Sequence, residues 1–160
     1  MSEHETNTIV GCKFVRNDCG SLNDDYGRVI YTRRWQRVPG KGAYVAVTGG
    51  LWAGGFGPTL IYLECREPTG AVAPSGIVCF RYVRRVAACP DRLTPEMRGQ
   101  VARYAPGLTP DQRMELAHES TPEWRGWLAC CAPGLTPDQR MELVRADSRV
   151  ETRPAEGSGD

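Results

Sequence analysis

The chain has no apolar run approaching the roughly 18 residues needed to cross a bilayer as a helix, and its opening stretch, MSEHETNT, is polar. Neither a membrane span nor a secretory signal is therefore expected, and the expected location is the cytosol. Histidine is scarce, with only 2 in 160 residues. His4 lies at the polar start and His118 near a helix end, and the cysteines at 12, 19, 65, 79, 89, 130 and 131 contain no C-x-x-C pair. No metal site is expected from such a set. An odd count of cysteines also argues against a disulfide framework, so they are read as small buried hydrophobes in a reducing compartment. Neither G-x-x-x-x-G-K-[ST] nor G-x-G-x-x-G occurs, and no nucleophile has a recognisable base partner, so neither a cofactor nor catalysis is expected.

What the chain does have is a repeat. APGLTPDQRMEL occurs at Ala105 to Leu116 and again at Ala132 to Leu143, inside longer similar segments that begin at Thr94 and Thr121, a period of 27 residues. Such a period marks stacked supersecondary units that bury their apolar faces against one another. Each half-unit opens with Thr-Pro, at Thr94, Thr109, Thr121 and Thr136. Thr accepts orphan amide hydrogens as the N-cap and Pro occupies a position that needs no amide. Glu96, Asp111, Glu123 and Asp138 follow where the helix dipole favours negative charge. Ala-Pro-Gly ends the first helix of each unit, so four short helices are predicted. In the third, Trp124, Trp127, Leu128 and Cys131 make an apolar stripe at i, i+3, i+4 and i+7. Trp124 is expected between helices, Arg98 and Arg125 against helix ends, and Trp127, which replaces Gln100 of the first unit, at a partner surface.

Residues 1–90 have a different texture. IVGCKFVR (9–16), RVIYT (28–32), AYVAVT (43–48), TLIYLECR (59–66) and IVCFRYVRRVAA (77–88) are rich in β-branched and aromatic residues and bounded by turn formers. They predict about five strands of a mainly antiparallel sheet. The expected fold class is α+β, with a β-sheet domain at 1–90, two helical repeats (α-hairpins) at 91–147 and a flexible tail at 148–160.

Charge is balanced overall but not along the chain, since residues 1–90 hold 11 Lys or Arg against 7 Asp or Glu and residues 91–160 hold 9 against 12. Arg33, Arg34, Arg37 and Lys41 surround Trp35, and Arg81, Arg84 and Arg85 punctuate FRYVRRV. Basic side chains mixed with aromatics can contact phosphates and stack on bases. The competing reading, a solvated edge that resists strand pairing, is preferred. Opposite charges also suggest docking of the acidic repeat on the basic sheet. The stretch GGLWAGGFGP (49–58) makes a flexible turn that either presents Trp52 and Phe56 or folds them over the sheet.

The segment TPEWRGWLACCAPGLTPDQRMEL and its first copy resemble leucine-rich-variant and HEAT-like repeats. That likeness implies a scaffold or recognition surface. GCKFVRND, YTRRWQRVPGKGAYVAV and IYLECREPTGAVAPSGIVCFRYVRRV resemble small β-rich domains of phage and bacterial proteins. Some of these are similar in layout to ADP-ribosyltransferases, which would cast Arg16, Tyr44 and Glu64 as catalytic residues. The resemblances together imply an accessory protein of a phage or mobile element that binds another protein through a composite surface, with nucleotide-binding catalysis as the alternative and nucleic-acid binding third.

Overall fold

The structure is a computed structural model that describes residues 8–22, 29–72 and 76–145. The expected tail at 148–160 lies outside the described residues. The chain divides into two compact units, Met1–Met97 and Arg98–Asp160.

The first unit is a four-stranded antiparallel barrel with one added strand. Its strands are β1 (Ile9–Val15), β2 (Gln36–Arg37), β3 (Ala43–Ala46), β4 (Thr59–Val72) and β5 (Ile77–Val86). β3 lies between β5 and β1, β1 pairs β4, and β4 returns to pair β5, which closes the ring. β2 pairs β5 through Gln36↔Val83 and Arg37↔Tyr82. Closure depends on the length of β4: residues 59–65 pair with β1, while 62–72 pair with β5. A register shift between Pro68 and Gly70, with Glu67 at φ 57°, bends the strand where a proline would otherwise end it. Inside lie Val15, Val45, Ile61, Leu63, Cys65, Phe80 and Val83, joined by Tyr31 and Val38 from the connections. Gly42, at φ 91°, lets its backbone approach the Phe80 carbonyl where any Cβ would collide.

Arg28 of RVIYT lies outside the described residues, and the remaining residues 29–32 do not form a strand. Among the described residues Ile30 makes only an isolated bridge to Gly20. The reason is local: the Gln36 side chain accepts from Thr32 N at 2.7 Å and donates to Ile30 O at 2.6 Å, filling groups that a ladder would use. The adjoining strand is the two-residue β2 instead.

Lys13 shares the parity of Val15 on β1. Its Nζ donates to Tyr44 O at 2.7 Å and lies 6.0 Å from the centre of the Tyr31 ring. Burial lowers its pKa to about 8 from 10.5. Between those two values the unfolded chain binds more protons than the folded one, so this lysine makes stability rise with pH. Wild type should gain on Lys13→Met by at most about 3 kcal/mol from pH 8 to pH 10.5. Burial holds the Cys12 thiol protonated and works the other way above pH 9, but it is common to both proteins. Urea midpoints for the two proteins across that range check this; parallel pH profiles contradict it.

The second unit carries the repeat. Helices α1 (Pro95–Tyr104, whose first turn belongs to the first unit), α2 (Pro110–His118), α3 (Pro122–Cys131) and α4 (137–145) match the four predicted. Thr109 and Gln112 form a capping box, and Thr136 and Gln139 repeat it, with the Gln side chain accepting from the Thr amide at 3.0 Å in both. Arg140 donates to Ala129 O at 2.9 Å and Ala132 O at 2.7 Å, and the equivalent Arg113 donates to Ala102 O. These arginines satisfy the last carbonyls of the preceding helix. Leu116 and Leu143 fill the core. The duplicated TPDQRMEL is thus a cap, a clamp and an anchor in eight residues.

Two helix expectations need correction. The buried side of α3 is Arg125, Leu128 and Ala129, continued by Ala132, whereas Trp127, Cys130 and Cys131 are exposed and Trp124 is only half-buried. The helix is rotated from the expected stripe because Arg125 turns inward to donate to Ser120 O at 2.7 Å, at the end of α2.

Candidate functional site

The Gly-rich stretch forms a fixed turn on the barrel. Gly50 (φ 74°) and Gly55 (φ 91°) flank a single 3-10 turn over Leu51–Gly54, closed by Ala53 N to Gly50 O at 2.9 Å. Leu51 is buried and anchors it. Trp52 remains 50% exposed and Phe56 62% exposed, although Phe56 meets Phe14 of β1 edge to face with centroids 5.2 Å apart. Neither alternative holds alone: one ring edge rests on the barrel, and most of the aromatic surface faces solvent. The flanking glycines direct Leu51 inward, which turns its neighbour Trp52 outward.

A second cluster lies on the outer surface of β4 and β5. The Arg66 and Arg84 guanidinium carbons stand 4.0 and 4.9 Å from the centre of the Trp35 ring. Glu64 accepts from Arg84 Nε at 2.6 Å and from Arg92 Nη1 at 2.7 Å. Burial pushes the Glu64 pKa up, but the bonds from Arg92 and Arg84 outweigh it and hold the carboxyl below its usual range. Both carboxylate oxygens are therefore occupied by cations.

The predicted basic residues separate into two groups. Arg33, Arg34 and Lys41 are exposed on the connections around β2, and Arg37 is exposed on β2 itself. Arg81 instead donates to Val38 O and Gly40 O at 2.8 Å each, pinning that turn, and Arg85 reaches the Cys19 sulfur at 2.5 Å. Arg16, Tyr44 and Glu64 are not brought together. Val10 stands opposite Glu64, and Arg16 follows it by six residues, roughly 20 Å along β1. Arg16 borders a cleft with Asn17, Asp18 and Pro58, while Tyr44 sits in β3 opposite Cys79. In the second unit Trp127 is 47% exposed beneath the Arg103 guanidinium, 4.8 Å from its ring centre.

Sequence reasoning missed Arg66 and Arg92. The i, i+2 spacing of Glu64 and Arg66 facing FRYVRR was the available signal, but it required knowing that Glu64 pairs with Arg84. Among the described residues no group of His, Cys, Asp and Glu could hold a metal, and no helix is long and apolar enough to cross a membrane. No family model matches the chain, and no curated protein or solved structure matches it.

Proposed function

We propose that the chain is a non-catalytic protein-binding protein whose barrel offers the Trp52 and Phe56 turn to a partner. The observation that carries this reading is the exposure of two large aromatics on a turn held by the buried Leu51 and by the Phe14 contact. Aromatic side chains dominate binding energy at interfaces, and a turn already fixed loses little entropy on association. Glu64 lends no support to the ADP-ribosyltransferase alternative, since two arginines hold its carboxylate and Arg16 lies far along the strand. The exposed Arg33, Arg34, Arg37 and Lys41 give the same unit a positive surface that steers encounter with an acidic partner.

The test is affinity capture with the tagged full chain, followed by repeats with Trp52→Ser and Phe56→Ser. Each substitution should weaken partner retention about tenfold or more while leaving circular dichroism unchanged. Undiminished retention by both variants would refute the reading.

A further inference from the structure

The connection that leads into β3 is fastened to β5 along its length. Arg85 N donates to Thr32 O at 2.7 Å, β2 pairs through Gln36↔Val83 and Arg37↔Tyr82, and Val38 N donates to Arg81 O at 2.8 Å. Side chains fix it further: Gln36 bonds Thr32 N and Ile30 O, Thr32 Oγ1 accepts from Arg34 N at 3.3 Å, and Arg81 holds the carbonyls of Val38 and Gly40. Residues 30–41 therefore lie as a fixed strip beside β5. The strip carries Arg33, Arg34, Arg37 and Lys41, all exposed, and β5 adds three arginines. Neither segment contains an Asp or Glu. On β4, across from β5, Glu64 is already held by Arg84 and Arg92, and Glu67 stands at the bend.

Protection of a sheet edge does not account for this charge. An edge strand of two residues is protected by its shortness, and ordinary surfaces intersperse the two signs. Aromatic surface is also set among the cations. The registers of β2 with β5 and of β5 with β4 align Arg37, Tyr82 and Arg66 in one row, and the Arg66 and Arg84 guanidiniums lie 4.0 and 4.9 Å from the centre of the Trp35 ring. A guanidinium fixed against an indole, with a half-buried tyrosine beside it, is a platform on which an unpaired base can stack. Duplex bases are covered on both faces by their neighbours and leave such a platform unused.

We propose that the strip at residues 30–41, together with the outer surface of β4 and β5, binds single-stranded nucleic acid. Arg33, Arg34, Arg37 and Lys41 meet its phosphates, and Tyr82 and Arg66 take a base. None of these residues belongs to the Trp52 and Phe56 turn, so the inference stands apart from the protein-binding reading.

Fluorescence anisotropy of a labelled, mixed-sequence single-stranded DNA titrated with the full chain tests it. The dissociation constant should lie between about 1 and 100 µM at about 0.1 M salt, and log K should fall with log salt at a slope of about −3, as four phosphate contacts on a single strand give. Arg33→Gln combined with Arg34→Gln should weaken binding about tenfold or more and bring the slope to about half. Tyr82→Leu should weaken it about fivefold or more with the slope unchanged, since a stacked base carries no counterion. Trp52→Ser should bind as the wild type does. Circular dichroism checks each variant, and the arginine pair decides the matter if Tyr82→Leu fails to fold. No binding at about 0.1 mM protein, an affinity unchanged in a folded variant of the strip, or a loss in Trp52→Ser would each overturn the proposal. Equally tight binding of the matched duplex or of polyglutamate would do so too, the latter by pointing to an acidic protein instead.

Discussion

Phe80→Ala is expected to lower the stability of the barrel by about 3 to 5 kcal/mol, the ordinary cost of deleting a fully buried aromatic. Phe80 has no solvent exposure, and its strand holds β2, β3 and β4 together. Its Cα partners are Ala43 on β3 and Pro68 at the bend of β4, so it sits where the ring closes. Neither partner is large enough to collapse into the space left behind. Domains of this size have only about 5 to 15 kcal/mol of net stability, so the variant should be largely unfolded at moderate urea. A urea midpoint giving a loss below about 1 kcal/mol would contradict the assigned core.

Gly99→Val should destabilise the repeat by about 1 to 3 kcal/mol, because the new side chain overpacks the contact with Trp124. The helix-forming gain on replacing glycine, no more than about 1 kcal/mol, offsets only part of this. Gly126→Ala at the equivalent position should instead be neutral or stabilising by up to about 1 kcal/mol, since a Cβ there meets nothing. The two glycines hold equivalent positions of the repeat, each directly after Arg in the middle of its helix, and differ most in what lies opposite. Thermal melts followed at 222 nm separate them; equal effects at both sites would show that Trp124 does not pack on Gly99.

The repeat was legible because its signals are local. Thr109 and Thr121 cap as predicted, each accepting from the amide three residues on, and the prolines stand in the first turn. Arg125 bonds a helix end as expected and Trp127 is exposed, but the full rotation of α3 was not legible: the stripe of apolar letters concealed that Cys131 faces outward and that Trp124 is only half-buried. On the barrel, β1, β3 and β5 were found by their β-branched runs, with ends off by one or two residues. β4 runs six residues past its predicted end because a bulge accommodates Pro68. Barrel closure is a long-range pairing that no local pattern encodes. The Glu64, Arg66 and Arg84 cluster depends instead on the register of the β4–β5 hairpin, which the shift between Pro68 and Gly70 sets, so only its letters were visible beforehand.

The central claim, that the Trp52 and Phe56 turn is a protein-binding surface, is tested most directly by placing a photo-reactive phenylalanine analogue at Trp52 in the full chain and irradiating it in the source cells. Exposed and fixed as this position is, it should yield one discrete adduct with a second protein. That adduct should fade when Phe56→Ser is added and should be absent when the analogue stands at exposed Thr69 on β4. An adduct that forms equally from position 69, or no adduct from position 52, would contradict the account.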